Sequence, residues 1–332
     1  MPNKIALAIH GGAGTILRSS MTPELEAEYR GALGNALETG WKILNKGGSS
    51  LDAVEAAVCT LENFHLFNAG RGSVFTHEGK NEMDASIMDG KTLKAGAVAS
   101  VKNVKNPVKL ARLVMEQTEH ILLAGVGANE FARQMNVEFA GDEYFFTKHR
   151  YAQLLKAREE GTVQLDHDGS EPGAIATGED KEAETRPVGS VSYAINPKPI
   201  GTIGAVACDS SGNLAAATST GGMTNKKFGR IGDTALIGSG TYADQSCAVS
   251  CTGHGEFFIR GVTAYDVAAR MKYKGLTLEQ AASEAIAHLT QIGGEGGLIA
   301  VDALGNVSLP FNSDGMYRGS ITVEGSKVEI YR

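Results

Sequence analysis

The stretch from about position 161 to 199 constrains this 332-residue chain more than any other. Hydrophobic periodicity stops there. The run "DHDGSEPGAIATGEDKEAETRPVGS" is rich in Asp, Glu, Gly and Ser. Such a composition buries too little apolar surface to offset the entropy of ordering it. A connection this long inside a compact domain is either functional or disordered. It ends abruptly at Gly201-Thr202, where "TIGAVACDSSGNLAAATST" opens the pattern of a buried hairpin turning at Ser210-Ser211-Gly212. Folded sequence is therefore expected on both sides of a polar tract, with a Thr at the border.

Before the tract, "KIALAI" reads as a buried first strand closed by the glycines of "HGGAG". Leu25, Tyr29, Leu33, Leu37, Trp41 and Leu44 recur at spacings of three and four, which predicts an amphipathic helix. Thr22 is its expected N-cap, Pro23 its first residue, and Gly47 or Gly48 its stop. A second helix over "SSLDAVEAAVCTLENF" is capped by Ser49 or Ser50, and strand material follows, including "LKAGAVASV". "PVKLARLVMEQ", "ANEFARQM" and "HRYAQLLKAREEG" read as helices. After the hairpin come a strand, "CAVSCTG", helices over "FFIRGVTAYDVAARMKYKG" and "TLEQAASEAIAHLTQIG", and a closing hairpin in "GGLIAVDALGNVSLPFN".

Composition narrows the function classes. A formal net charge of -7 argues against nucleic acid or an anionic membrane as partner. The four cysteines form no C-x-x-C pair, and scattered thiols in a chain of this size fit a reducing compartment. The apolar run Ile5 to Ile9 is too short for a signal peptide, and no stretch approaches a span of about 18 apolar residues. A cytoplasmic protein is expected. His10 has no nearby ligand partner, and His65 and His77 lie without a Cys or His cluster, so metal catalysis is only weakly suggested.

Thr202 carries the sharper hypothesis. A hydroxyl is a weak nucleophile without a base beside it. A Thr at a chain N-terminus brings its own base, the α-amine, whose reference pKa is about 7.7–8.0. Creating that terminus requires cutting after Gly201, and the Thr hydroxyl can attack the preceding carbonyl to give an ester that water cleaves. Gly201 has no side chain in the way of that attack. The same residues also read as a surface loop entering a strand.

"GTIGAVACDSSGNLAAATSTGG", "GRIGD" and "SCTGHGE" together resemble the plant-type asparaginases, or isoaspartyl peptidases, a family of N-terminal-nucleophile hydrolases. The likeness extends to "HGGAG", "LFNAGRGSVF", "MDASIMDG", "NPVKLARLVMEQ" and "LPFNSDGMYRG", and so to most of the chain outside the polar tract. It implies an α+β fold, an αββα four-layer sandwich. It also implies a single domain over 1–332, processed between Gly201 and Thr202 into 1–201 and 202–332.

By the same resemblance, Thr202 is the nucleophile and Thr220 the neighbouring hydroxyl that tunes it. Arg230 grips the substrate α-carboxylate. Asp233, with the Gly255 carbonyl, holds the α-ammonium. Thr252 and the Gly253 amide supply the oxyanion donors. Asn68 stands near the nucleophile, and His254 reads as a wall residue. Taken singly, Arg230 and Asp233 would read as surface charges and Thr220 as an ordinary strand residue.

No catalytic cofactor is implied. The family also holds a monovalent cation on backbone carbonyls, and the matching loop offers those of Leu61, Glu62, Phe64, Phe67, Ala69 and Arg71. Such hard oxygens suit sodium or potassium. The implied substrates are L-asparagine and β-aspartyl dipeptides, and the implied assembly is a dimer of cleaved units. Three rivals remain at this level. Glycosylasparaginases typically carry Asp before the nucleophile, where this chain has Gly201. A threonine-aspartase-type endopeptidase would not be expected to keep an acid at Asp233. An uncleaved relative acting as a binding module would stay one 34.8 kDa band on a denaturing gel.

Overall fold

The computed structural model describes residues 5–163 and 201–332, so the polar tract beyond Val163 lies outside the described residues. In chain order, strand β1 (Ala6–Gly14) leads to helices α1 (Pro23–Asn45) and α2 (Ser50–Glu62), strands β2 (Met83–Asp89) and β3 (Ala95–Val101), and helix α3 (Pro107–Gln117). Strand β4 (Leu122–Ala124) and helices α4 (Gly125–Gln134), α5 (Asp142–Phe145) and α6 (Lys148–Glu159) follow. Beyond the tract come β5 (Ile203–Cys208), β6 (Leu214–Thr220), β7 (Thr241–Ala243) and β8 (Cys247–Gly253). Helices α7 (Gly255–Gly261), α8 (Thr263–Lys274) and α9 (Leu278–Gln291) precede β9 (Gly296–Asp302), β10 (Val307–Ser308), β11 (Gly315–Thr322) and β12 (Gly325–Tyr331).

The local signals act as their chemistry demands. Thr22 accepts from the Leu25 N–H with Pro23 at the first helical position, and Ser49 accepts from the Asp52 N–H. Gly47, at φ +80°, takes the left-handed conformation just past α1. Two expectations need correction. β1 is not closed by its glycines but runs through them to Gly14, with a bulge between His10 and Gly12. The stretch "FFIRGVTAYDVAARMKYKG" is not continuous helix, because Val262 sits at φ +47° and separates α7 from α8.

The strands form an eight-stranded sheet, in the order β12-β11-β1-β5-β6-β2-β3-β4, and a four-stranded sheet, β10-β9-β8-β7. Period-2 alternation divides each central strand between two cores. Leu7 and Ile9, Ile203, Ala205 and Ala207, and Ala215 and Ala217 join the core under α1, α2 and α3. Cys247, Val249, Cys251, Leu298 and Ala300 join a core with α8 and α9. The opposite faces, Ala6, Ala8, Val206, Cys208, Leu214, Ala216, Ala248, Ile299 and Val301, meet in a third core between the sheets. Along those same faces the residue type changes to His10, Gly204, Thr218, Thr220, Ser250 and Thr252. The layer is apolar at one end and polar at the other.

Among the described residues no helix is long and apolar enough to cross a membrane. Cys59, Cys208, Cys247 and Cys251 are all buried free thiols.

Candidate active site

The polar end of the inter-sheet layer opens into a small cavity. Thr202, Thr220, Arg230, Asp233 and Gly253 line it, with Gly201 and Gly222 at its walls. Five residues expected from sequence to act together are thus brought to one place from four separate segments.

Thr202 stands at the entry of β5 and is 7% exposed. Its hydroxyl donates to the Thr220 hydroxyl at 3.1 Å. The antiparallel pairing of β5 with β6 sets this contact, since Ile203 lies opposite Ser219 and the residues beyond them meet at the strand ends. Thr220 Oγ1 also accepts from the Gly222 N–H at 3.0 Å.

The charged side of the cavity is made by the segment after β6. Asp233 is buried, and burial raises its carboxyl to about 7 although the nearby Arg230 charge opposes the rise. Its Oδ2 has no hydrogen-bond partner among the described residues. An unpaired buried carboxylate oxygen is costly, and a cationic donor would relieve it. Arg230 gives its Nε and Nη2 edge to Glu256, at 2.9 and 2.8 Å. Burial pushes the Glu256 carboxyl up, but the Arg230 hydrogen bonds and charge outweigh it and hold the group below its ordinary value. Gly255 lies directly against both groups: a Cβ there would stand 2.8 Å from Asp233 Oδ1 and 2.9 Å from Arg230 Nη2.

Thr252 is fully buried on β8, and its hydroxyl has no partner among the described residues. Gly253 sits at φ +145°, and a Cβ there would lie 2.3 Å from the Glu295 carbonyl oxygen, so the position admits only glycine. Asn68 is buried behind the cavity wall. Its Nδ2 donates to the Gly222 carbonyl at 2.8 Å, its Oδ1 accepts from the Val74 N–H, and its own carbonyl accepts from Gly221. It fastens the loop that follows Thr220. His254 lies 3.3 Å from Glu256.

Sequence reading assigned no part to Glu256 or Lys226. Nothing local in "HGEFF" marks Glu256, because its partner Arg230 lies 26 positions away and meets it only in the fold. Lys226 is 2% exposed and donates to the Glu82 carbonyl. Burial lowers it, against the charges of Asp84 and Glu82, and nothing local in "TNKKFG" distinguishes it from its half-buried neighbour Lys227.

The loop expected to hold a cation joins the end of α2 to a short 3-10 turn, Gly70–Gly72. Its backbone is tightly packed. A Cβ on Gly70 would lie 2.4 Å from the Glu62 carbonyl oxygen, and one on Gly72 would lie 2.1 Å from that of Phe67. The buried Arg150 guanidinium donates to the Gly72 and Leu66 carbonyls beside them. Among the described residues no cluster of three or more His, Cys, Asp or Glu side chains could hold a metal ion.

Comparison with known proteins decides the family. The asparaginase family profile matches residues 3–330. The chain is 51% identical to the isoaspartyl peptidase of Escherichia coli, over 95% of this chain and 92% of that protein. It is 51% identical to the isoaspartyl peptidase of Salmonella typhimurium, over 95% of each chain. It is 40% identical to the isoaspartyl peptidase/L-asparaginase of Xenopus laevis, over 99% of this chain and 96% of that protein.

The chain belongs to the asparaginase family. The match runs across both the segment before the polar tract and the segment after it. The cavity lining, Gly201 to Gly253, and Asn68 behind it therefore lie within the asparaginase-matched sequence.

Proposed function

We propose that this protein hydrolyses the side-chain amide of L-asparagine and the isopeptide bond of β-aspartyl dipeptides, with Thr202 as a nucleophile freed by self-cleavage at Gly201-Thr202. One observation carries the reading: a buried Thr202–Thr220 hydroxyl pair shares a cavity with Arg230 and with an Asp233 carboxylate oxygen that has no partner among the described residues. The names of the relatives support the substrate class.

Maturation begins when the Thr202 hydroxyl attacks the Gly201 carbonyl, giving an ester that water opens. The cut need not separate the two chains. In the large sheet β5 lies between β1 and β6, and β6 pairs with β2, so strands from both sides of the cut hydrogen-bond to each other. The freed α-amine then takes the hydroxyl proton as Thr202 attacks the substrate carbonyl, and it returns a proton to the leaving amine. Thr220 holds the hydroxyl during attack. The unpartnered Thr252 hydroxyl and the Gly253 N–H stabilise the oxyanion. Arg230 engages the α-carboxylate while Glu256 holds the far edge of its guanidinium. Asp233 and the Gly255 carbonyl engage the α-ammonium. Water then hydrolyses the acyl-enzyme.

The three separate cores support an αββα four-layer arrangement over one domain. The backbone carbonyls of the loop from Leu61 to Arg71 are hard donors of the kind that suits sodium or potassium. Such an ion would supply no chemistry at the nucleophile and would stiffen the turn that carries Asn68. Two cleaved units are proposed to pair. The exposed Ile121, Leu122 and Val126 at the β4 edge support a partner there. Four free thiols support a cytoplasmic setting.

A denaturing gel with N-terminal sequencing tests the mechanism. Two fragments are expected, the smaller beginning Thr-Ile-Gly-Ala-Val, together with release of ammonia from L-asparagine and of leucine from β-aspartyl-leucine. A single uncut band from a protein that still hydrolyses both substrates would remove Thr202 as an N-terminal nucleophile.

A further inference from the structure

His10 is wholly buried beside the nucleophile, and the mechanism above gives it no part. Its Nδ1 lies 3.0 Å from the Thr202 carbonyl oxygen and its Nε2 lies 2.8 Å from Ser250 Oγ. A carbonyl can only accept, so the proton sits on Nδ1, and Nε2 must accept from Ser250. Ser250 in turn contacts the Thr218 hydroxyl at 2.7 Å, and Thr241 donates to Thr218. Because Ser250 gives its proton to His10 it must accept from Thr218, so the row runs from Thr241 through Thr218, Ser250 and His10 to the Thr202 carbonyl, passing between the small sheet (Thr241, Ser250) and the large one (Thr218, His10, Thr202).

The crossing has a sequence requirement. Gly204 lies opposite His10 on β5, and a Cβ there would stand 2.0 Å from Ser250 Oγ and 2.5 Å from His10 Nε2. Only glycine lets the imidazole and the serine meet over that strand. Burial lowers His10 to about 3 even though the bond to Thr202 raises it, so the ring is neutral, as the row demands.

We propose that His10 is a positioning residue for Thr202: its Nδ1–H holds the nucleophile's carbonyl, and the buried hydroxyl row holds His10 in the tautomer that can do so. The physical need arises from chain cleavage. A residue that loses its N-terminal neighbour keeps no covalent restraint on that side. Its orientation then depends on the Thr220 contact and on whatever fixes its own carbonyl, which sets the torsion carrying both the amine and the side chain. This inference rests on Thr202 acting as the nucleophile.

The test compares His10→Asn with His10→Gln. The Asn amide nitrogen takes the place of Nδ1 and can still donate to the Thr202 carbonyl. The Gln amide reaches toward Ser250 and leaves that carbonyl without a donor. Rates on β-aspartyl-leucine are expressed per cleaved chain, beside the thermal midpoint of each variant. A misplacement of the reacting group by about 1 Å costs roughly 10²-fold, so His10→Gln is expected to lose about that much kcat with KM within about 2-fold of wild type. His10→Asn is expected to recover about tenfold or more of that loss, at a similar thermal midpoint. Cleavage that fails in His10→Gln and proceeds in His10→Asn supports the same role, because the same hydroxyl performs both reactions. Equal kcat in the two variants, or kcat that simply follows the thermal midpoint, overturns the proposal.

If His10→Gln does not fold, 15N spectra of the imidazole nitrogens decide, with His10 assigned by its absence in His10→Asn. Wild type is expected to carry the proton on Nδ1, and Ser250→Ala to show a mixture of tautomers. A wild-type proton on Nε2 overturns the assignment. A wild type inactive on both substrates would instead sink the hydrolase reading, and the tautomer spectrum would still judge the His10 contact.

Discussion

At one end of the layer between the sheets, Ala6, Ala8, Val206, Ala216, Ala248, Ile299 and Val301 pack without a polar atom among their side chains. At the other end, the same strands present His10, Thr202, Thr218, Thr220 and Ser250, joined by hydrogen bonds. Backbone geometry and period are the same at both ends. Only the residue type on the shared face changes, and with it a core becomes a site. The hydroxyls are tolerable in so buried a place because they satisfy one another. Among the described residues, Thr252 Oγ1, Asp233 Oδ2 and Thr234 Oγ1 at this end have no partner, and the first two are where the proposed mechanism puts an oxyanion and an ammonium. The apolar end fixes the sheets; the polar end uses the fixed distance.

The largest break is expected at Thr202. Thr202→Ala should remain a single chain on a denaturing gel and release no measurable ammonia, while its thermal midpoint stays near that of wild type. Cleavage at the same bond in that variant would transfer the chemistry elsewhere.

Next comes the charged wall. Truncating one partner of a buried, hydrogen-bonded charge pair costs about 2–5 kcal/mol, or roughly 30-fold to several-thousand-fold. Arg230→Ala should lose that much kcat/KM on both L-asparagine and β-aspartyl-leucine, yet still self-cleave, since maturation needs no bound substrate. Equal turnover of α-amidated and free substrates by the unmodified enzyme would reject the pocket assignment.

A pH series sharpens the comparison further. Asp233 must be ionised to pair with an α-ammonium, and its folded pKa is about 7. At sub-saturating substrate, kcat/KM should therefore fall as pH drops through about 7, and Asp233→Asn should lose that inflection along with most activity. The linkage sign follows from the raised value. Between the ordinary 3.8 and about 7 the folded state binds the proton more tightly, so this group's contribution to stability declines as pH rises across that window. Thermal midpoints of Asp233→Asn and wild type should diverge toward high pH, with the variant ahead. Parallel curves would show that the carboxyl is already paired.

The smallest effect belongs to the apolar end. Ile299→Val should cost about 0.5–1.5 kcal/mol by chemical denaturation and leave kcat per folded molecule unchanged. A kcat loss much larger than that would show that sheet spacing, rather than local hydrogen bonding, limits the nucleophile.

Elements whose signals are local were legible in the sequence. Thr22 and Pro23 marked the start of α1, Ser49 that of α2, and apolar alternation marked β5 and β6. Val262 was not legible as a break, because a β-branched residue carries no turn signal and only packing places it at positive φ. In the site, Thr202, Thr220, Arg230, Asp233 and Gly253 could be named because they fall in one run of 52 positions that keeps its family pattern. Glu256 and His10 could not be assigned a role, because their partners are set by contacts across the fold.

The sequence by itself determined where α1, α2, β5 and β6 begin, which of their faces turn inward, and that a Thr follows a Gly at the edge of a polar tract. Those are consequences of periods, caps and residue chemistry acting over a few positions. Tertiary structure alone decided that His10, some 190 residues before Thr202, meets its carbonyl, that Ser250 reaches across from the other sheet, and that Asp233 keeps an oxygen unpaired among the described residues. Hydrogen bonds and burial depend on distances of a few ångströms. Such distances between remote segments exist only once the two sheets have packed.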